Sequence, residues 1–202
     1  IRQADRYTFS GQYLQIPSPP EGGEWRKEWF QTIKRAEMPN DIMFEMYIDG
    51  AYTKDTKNDP TGIQISGKSG DNLYIFKSID KYLEMPELKS FITSFVKSCG
   101  VNVTQILVEP KASGKSLVQL LRRETNFNVS ELKTNFVRYS KIERARASSP
   151  FIEGGRVYLI EDNWNDAFIQ QVSTFPNAKH DEHIDVTSYS IERNLINNFF
   201  IV

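Results

Sequence analysis

Residues 44–67, FEMYIDGAYTKDTKNDPTGIQISG, predict two β-strands joined by a polar turn. Residues 44–48 carry the aromatic and branched side chains typical of a strand, and residues 61–65 begin a second one. The turn between them is short enough for the strands to pair as a hairpin. Asp49 follows the first strand directly, so the hairpin delivers one carboxylate to a strand end. An isolated Asp at this position could simply begin the turn, and a functional role for it depends on further acidic residues.

A second acidic residue, Glu109, follows the short apolar strand predicted for residues 105–108. Pro110 comes next and stops strand pairing, and residues 113–125 have the pattern of a helix. A strand, turn and helix in this order imply a parallel unit. If this strand is a parallel neighbour of the strand before Asp49, both carboxylates open on the same edge of the sheet, where sites in α/β proteins form.

A third acidic group, Asp181, Glu182 and Asp185, opens the last predicted helix, residues 181–195. Acidic residues at a helix start also interact favourably with the helix dipole, which is the alternative explanation. We expect Asp181 to cap the backbone amides of its own helix, and we rank Asp185, one turn further in, first as a metal ligand.

Three acidic sites that converge would repel one another strongly unless hard cations lay between them. Oxygen ligands favour magnesium or manganese over zinc. Two such ions activate a water and stabilise the leaving oxygen in phosphodiester cleavage. The candidate catalytic and metal-binding residues are therefore Asp49, Glu109, Asp181 and Asp185.

The remaining pattern completes an α/β chain. Further strands are predicted at residues 73–77, 128–132 and 155–160, and further helices at residues 86–98 and 163–172. Residues 133–147 form a basic segment that we expect to be helical. Residues 24–35 suit either a short helix or an irregular segment, and residues 1–43 as a whole are interpreted as a strap or linker before a domain at residues 44–202.

The 202 residues, 39% of them hydrophobic and 25% charged, suit one domain with a real core. Residues 111–146 hold nine Lys or Arg against three Asp or Glu, which fits either a solvated helix face or a contact with a phosphate backbone. The candidate nucleic-acid-binding residues are Lys111, Lys115, Arg122, Arg123 and Lys141.

The single cysteine, Cys99, excludes a disulfide scaffold. Nothing in the sequence resembles a signal peptide or an 18-residue apolar run, so we expect the protein to be soluble and intracellular. Because it begins with Ile1 and not Met, we expect it to be a fragment.

Several motifs together resemble the nuclease domain of the large terminase subunit of tailed bacteriophages. In chain order they are a joining segment at residues 12–23 with Trp29-Phe30, Asp49-Gly50-Ala51-Tyr52 with Asp59-Pro60-Thr61, Val108-Glu109-Pro110-Lys111-Ala112-Ser113-Gly114, and a last block of Gly155-Arg156-Val157-Tyr158, Trp164, Phe175-Pro176, His180-Asp181 and Asp185. Each motif is short, and the order within the last block is the most specific feature. Many relatives have a second Asp after His-Asp, where this chain has Glu182. The phosphate loop of the family's ATPase is absent from this sequence.

The resemblance implies an RNase H-like fold, with a central mixed sheet of five or more strands and helices on both faces. The first three strands would be antiparallel and the next two parallel. It also implies an endonuclease that uses two divalent cations, Mg²⁺ or Mn²⁺, to cut concatemeric viral double-stranded DNA during genome packaging. The implied partners are double-stranded DNA, the portal and the small terminase subunit, with no membrane, in the host cytoplasm at the procapsid. Two alternatives remain open: another RNase H-like nuclease of the resolvase or transposase type, and a non-cleaving module that docks on DNA or the portal.

Overall fold

The computed structural model describes residues 23–50 and 59–197, which fold around one mixed sheet of seven strands. The strands are β1 (Gln31–Ile33), β2 (Met43–Asp49), β3 (Thr61–Ser69), β4 (Asn72–Lys81), β5 (Val103–Val108), β6 (Val129–Glu131) and β7 (Val157–Ile160). The helices are α1 (Met85–Ser98), α2 (Ala112–Glu124), α3 (Lys141–Glu153), α4 (Asn165–Thr174) and α5 (Glu182–Ile191). The predicted α/β class is confirmed.

The strands lie in the order β1-β7-β4-β3-β2-β5-β6. Strands β2, β3 and β4 pair antiparallel, whereas β5 runs parallel to β2 and β6 runs parallel to β5. This agrees with the expectation of three antiparallel strands followed by two parallel ones. Beyond β4, strands β7 and β1 extend the sheet, and each is parallel to its neighbour.

Residues 23–43 pack tightly on the rest of the chain. Trp25 is fully buried and its indole nitrogen donates a hydrogen bond to the carbonyl of Ala145 at 2.9 Å. The segment 24–35 is neither an α-helix nor wholly irregular, because it forms a 3₁₀ turn at Lys27–Trp29 and then the edge strand β1. Residues 1–22, with most of the predicted joining segment, lie outside the described residues, and the boundary at residue 43 stays a prediction.

Helices cover both faces of the sheet, as expected. Side chains alternate along a strand, so Met46 and Ile48 of β2 face one side and Tyr47 faces the other. The first face is covered by α1 and α2, through Leu88, Ile92, Leu117, Val118 and Leu121. The second face is covered by α3, α4 and α5, through Ala145, Ile152, Phe168, Val172, Ile184 and Ile191. Burial of each large apolar side chain contributes about 1.5–3 kcal/mol. Among the described residues, no helix has the length and apolarity that crossing a membrane requires.

Two predicted helices have different bounds in the structure. The basic segment 133–147 contains only a 3₁₀ turn, Phe136–Arg138, before α3 begins at Lys141. Ser140 sets this start, because its hydroxyl accepts the amide of Glu143 at 3.3 Å while the Glu143 carboxylate accepts the amide of Ser140 at 2.7 Å. The last helix, predicted for residues 181–195, is α-helical over Glu182–Ile191 and continues as a π-helical turn over Glu192–Ile196.

Helix α5 is attached to the sheet by buried polar contacts in addition to apolar ones. The Ser66 and Ser190 hydroxyls lie 2.7 Å apart, and the Thr187 hydroxyl donates to Oε1 of Gln64 at 2.7 Å. All four side chains are fully buried. Buried polar groups are costly unless they find partners, so these pairs hold α5 in one position along β3.

Candidate metal centre and active site

Strands β2 and β5 bring the first two acids together. They are parallel neighbours, with Ile48 opposite Val108, and the amide of Glu109 donates to the carbonyl of Ile48 at 2.9 Å. Asp49 and Glu109 therefore leave the same edge of the sheet, as the sequence predicted, and both are buried.

A lysine side chain joins these two carboxylates. Nζ of Lys111 lies 3.2 Å from Oδ1 of Asp49 and 2.5 Å from Oε2 of Glu109. The Tyr189 hydroxyl, from α5, donates to Oε1 of Glu109. The edge of the sheet thus carries two buried acids whose charge is offset by one ammonium group.

The two acids differ in their proton affinity. Burial, together with the hydrogen bond and the negative charge of Glu109, raises the pKa of Asp49 to about 6. Burial also acts to raise the pKa of Glu109, but hydrogen bonds from Asp49, Lys111 and Tyr189 outweigh it and lower that pKa. Of the pair, Asp49 is therefore the acid that holds a proton more readily.

Helix α5 supplies the third acidic group, and two of its members are held by cations. Nζ of Lys141 lies 2.5 Å from Oδ1 of Asp181 and 2.7 Å from Oδ2 of Asp185, and the Arg144 guanidinium donates to Oδ1 of Asp185. Burial raises the pKa of Asp185 in spite of these cations. Asp185 is buried, so it is not an acid at a solvent-exposed helix start. The prediction that Asp181 caps its own helix is wrong, because its carboxylate pairs with Lys141 instead of a backbone amide.

The other member, Glu182, has a different environment. Its side chain is 4% exposed, and both carboxylate oxygens are buried with no hydrogen-bond partner among the described residues. Burial raises the pKa of Glu182 to about 7. Gly62 of β3 makes room for it, since a Cβ on Gly62 would lie 2.9 Å from Cβ of Glu182. Glu182 belonged to the third acidic group predicted from the sequence, but Asp185 was ranked first as the ligand and Glu182 was not among the candidate ligands.

Glu182 also belongs to a group that could bind a metal ion. One ligand atom each from Asp59, His180 and Glu182 lie within 4.8 Å of one another. Nε2 of His180 is 3.3 Å from the Tyr82 hydroxyl, and its Nδ1 is buried without a partner in the described part of the chain. His180 would add a nitrogen donor to the expected oxygen ligands, and imidazole is a ligand that zinc also accepts.

Most of the acidic and basic side chains described so far line one cleft of about 270 Å³ at the edge of the sheet. Its walls are formed by Asp49, Gly50, Asp59, Pro60, Lys111, Ser113, Lys141, Arg144, Glu182 and Asp185. Acids from β2 and α5 thus share one opening with two lysines and an arginine, and Glu109 is linked to it through Lys111. Residues 51–58, which include Ala51 and Tyr52 of the first motif, lie outside the described residues.

The predicted nucleic-acid-binding residues do not form one surface. Lys111 and Lys141 line the cleft, and exposed Lys115 follows in the first turns of α2. Arg122 and Arg123 lie at the other end of α2, about 15 Å along a helix that rises 1.5 Å per residue. Nε of Arg122 donates to the carbonyl of Val129, which pairs with Ile106 and so lies three residues, about 10 Å, along the strands from Glu109. The basic window therefore has one end at the cleft and another far from it.

The central strands β4-β3-β2-β5-β6, the covering helices and the acids at one edge define an RNase H-like domain. The family model of the terminase RNase H-like domain matches residues 46–193, and the chain belongs to this family. A comparison with curated proteins finds no match.

Solved structures of phage terminases have the same fold at low sequence identity. The large terminase nuclease of thermophilic phage G20c with bound magnesium is 9% identical, with a TM-score of 0.59, over 87% of this chain and 100% of that one. The large terminase of a second thermophilic bacteriophage is 13% identical, with a TM-score of 0.61, over 86% of this chain and 45% of that one. The large terminase nuclease domain of bacteriophage SPP1 with bound manganese is 13% identical, with a TM-score of 0.53, over 84% of this chain and 98% of that one. This chain thus corresponds to less than half of the second phage's large terminase.

Proposed function

We propose that this chain is the metal-dependent endonuclease domain of a large terminase subunit, which cuts concatemeric viral double-stranded DNA during genome packaging. The observation that carries the proposal is the convergence on one edge of Asp49, Glu109 and Glu182, from β2, β5 and α5. All three are buried, and Glu182 has two oxygens without an internal partner among the described residues. Buried carboxylates in such a group are costly without positive charge between them, and a hydrolytic metal centre explains the arrangement.

The donor set fits divalent cations. The position of the Lys111 ammonium between Asp49 and Glu109 supports a cation-binding role for this pair. Asp59, His180 and Glu182 would hold a second ion, with Asp49 beside both groups. The bound Mg²⁺ and Mn²⁺ of the G20c and SPP1 nucleases support these metals here. When bound, two such ions lower the pKa of a water and stabilise the leaving oxygen of the cleaved phosphodiester.

Other side chains of the cleft have supporting roles in this proposal. Tyr189 orients Glu109 through its hydroxyl, and Lys141 with Arg144 holds Asp185 and through it the first turn of α5. Lys111 and Lys141 also place positive charge where a DNA phosphate would enter the cleft. Glu182 is favoured over Asp181 and Asp185 as the third metal ligand, because its two oxygens have no partner among the described residues and it lies with Asp59 and His180 in a group that could hold an ion.

The packaging role extends to the wider assembly. We infer that the chain acts with the portal and the small terminase subunit, as part of a protein that also carries an ATPase, in the host cytoplasm. The match to the terminase family over residues 46–193 favours this role over a resolvase or transposase. A non-cleaving docking module differs from it in a measurable way, since it would need no paired ions.

Digestion of a supercoiled plasmid tests the proposal. We expect nicked and linear products with Mg²⁺ or Mn²⁺ and none with a chelator or with the Asp49→Asn variant. The variant is the matched control, because contaminating nuclease would cut equally in both preparations. Absence of metal-dependent cleavage by the unmodified chain would contradict the proposal and favour the docking module.

A further inference from the structure

A turn at the rim of the cleft exposes an unusual group of apolar side chains. Among the described residues, the exposed large hydrophobic side chains are Val137, Tyr139, Ile142 and Met43, at 45%, 50%, 36% and 72% exposure. The first three lie within six residues, between the 3₁₀ turn and the first turn of α3, a segment we call the rim turn (residues 136–142). Single exposed apolar residues need no explanation, but a cluster next to a functional cleft indicates a contact surface.

The backbone of the rim turn is fixed by contacts with the rest of the chain. Phe136 is buried, and its ring meets the Tyr139 ring edge to face, with centroids 6.0 Å apart. Nη1 of Arg144 donates to the carbonyls of Phe136 and Tyr139, at 3.4 and 3.1 Å. Just before the turn, the amide of Asn135 donates to Oε1 of Glu192 at 3.0 Å. The exposed side chains are therefore presented on a fixed support and lose little freedom when they bind.

The same support reaches the acids of the cleft. Arg144 donates to the rim turn through Nη1 and to Asp185 through Nη2. Lys141, inside the rim turn, lies 2.7 Å from Asp185. The apolar group is thus joined to the wall of the cleft by two cationic side chains.

The charge around the rim turn indicates which partner it would take. Of the five Lys or Arg in residues 133–146, Lys141 and Arg144 pair with Asp181 and Asp185, and Arg146 pairs with Glu24. The exposed positive charge of the rim turn and its flank therefore comes from Lys133 and Arg138. A second copy of the same basic surface would be repelled, whereas a polyanion would be attracted. Apolar side chains flanked by cations suit the minor groove of DNA, with its sugar edges, between two phosphate strands.

We propose that the rim turn is a second contact for double-stranded DNA, separate from the acids that cut it. Val137 and Tyr139 pack on deoxyribose and base edges in the minor groove, while Lys133 and Arg138 contact the flanking phosphates. Arg144 is a positioning residue that fixes this contact relative to Asp185. The inference rests on the proposed function, since it assigns the DNA contact of the same site.

Binding to a fluorescein-labelled 30-base-pair duplex, measured by anisotropy with chelator present over a range of salt concentrations, tests this contact without cleavage. For the double variant Val137→Ser/Tyr139→Ser we expect a roughly 5- to 10-fold loss of affinity at every salt concentration, because two side chains lose the apolar surface that they would bury against sugar and base edges. For Arg138→Ala we expect a salt slope smaller by about 0.9, the value for one phosphate contact.

Two matched controls lie at the end of the sheet opposite the cleft. Met43→Ser removes the most exposed apolar side chain, and Lys97→Ala removes an exposed cation at the end of α1. Both should bind the duplex like the unmodified chain. If Val137→Ser/Tyr139→Ser binds as tightly as Met43→Ser, the rim turn is not a DNA contact, and a protein partner becomes the better explanation of the cluster.

Photocrosslinking removes any dependence on variant stability. p-Benzoylphenylalanine in place of Tyr139 should crosslink to the duplex, and the same group in place of Met43 should not; equal yields would overturn the inference. Failure of the proposed function is separable, because it concerns cleavage with Mg²⁺ or Mn²⁺. A chain that crosslinks through position 139 but never cuts would leave the rim contact standing and refute the nuclease.

Discussion

The ammonium nitrogen of Lys111 lies 2.5 Å from Oε2 of Glu109, and the lysine stem is more than half exposed to solvent. A flexible, exposed side chain therefore supplies the positive charge that two buried acids require. Such a group can leave when a metal ion arrives, and the metal-free and metal-bound forms would then depend on Lys111 to different degrees.

For Lys111→Met we expect lower stability without metal, since Asp49 and Glu109 lose their shared cation. The effect should be modest, about 2–4 °C in melting temperature, because an exposed ion pair contributes roughly 1 kcal/mol or less. Added Mn²⁺ should raise the melting temperature more in the variant than in the unmodified chain. Lys115→Met is the control, and equal responses in both variants would contradict the role of Lys111.

Asp49→Asn should abolish cleavage while keeping the fold. We expect a loss of roughly 100-fold or more, since even outer partners of metal ligands typically contribute 10- to 100-fold. Because burial raises the pKa of Asp49 to about 6, its charge is unfavourable at pH 8, and the variant should melt at the same or a slightly higher temperature. Plasmid cleavage and thermal unfolding measure the two effects, and full activity would refute the assignment.

Glu182→Gln should stabilise the metal-free protein at pH 8. The pKa of Glu182 rises from 4.5 to about 7 on folding, so the folded state binds more protons than the unfolded state between these values. Stability therefore falls as pH rises from 4.5 to 7 in the unmodified chain, and this fall should be smaller in the variant. Thermal unfolding of both proteins at pH 4 and pH 8 measures it. If the stability that Glu182→Gln gains over the unmodified chain is larger at pH 4 than at pH 8, Glu182 ionises in the folded protein without a cost in free energy.

The same variant and Asp185→Asn separate a metal ligand from a positioning acid. Glu182→Gln should weaken Mn²⁺ binding in a calorimetric titration. Asp185→Asn should bind Mn²⁺ with less change but lower the free energy of unfolding, by about 1–3 kcal/mol, because Arg144 and Lys141 lose a buried partner. The reverse outcome would restore the prediction from the sequence that Asp185 is the ligand.

Gly62→Ala tests the close approach of β3 to α5. The new Cβ would lie 2.9 Å from Cβ of Glu182, and the backbone carbonyl of Glu182 is only 3.2 Å away. We expect a cost of about 1–3 kcal/mol in stability, typical of overpacking, with loss of Mn²⁺ binding as Glu182 moves. Lys68→Ala, near the other end of β3, should change neither the stability nor the Mn²⁺ binding. A variant with unchanged stability and metal binding would show that α5 can shift without consequence.

Much of this architecture could be predicted from local patterns. Aromatic and branched residues, an apolar run and Pro110 were enough to predict β2 and β5 and to place Asp49 and Glu109 at strand ends. The strand, turn and helix order predicted a parallel unit, whereas the pairing of β5 with β2 was only a condition that the structure fulfils. These patterns lie within a few residues of the side chains that they position, which is why a single sequence is enough to recognise them.

The third acid could not be assigned in the same way. Asp181, Glu182 and Asp185 all open one helix, and the choice among them depends on which cations come near. Lys141 and Arg144 are about forty residues away along the chain, and their pairing with Asp181 and Asp185 is set by how α3 crosses α5. For the same reason the basic window looked continuous in the sequence, whereas α2 carries Arg122 about 15 Å away from the cleft end of that helix.

The hydroxyl and amide pairs between β3 and α5, such as Ser66 with Ser190, have a consequence for how such a domain can diverge. Apolar contacts permit many substitutions, and a helix held only by apolar contacts could shift along the sheet as core residues change. A displacement by one residue would separate Ser66 from Ser190 and Thr187 from Gln64 at once. Core side chains can therefore drift over evolutionary time while the acid on α5 stays in place, in keeping with a fold shared at 9–14% identity.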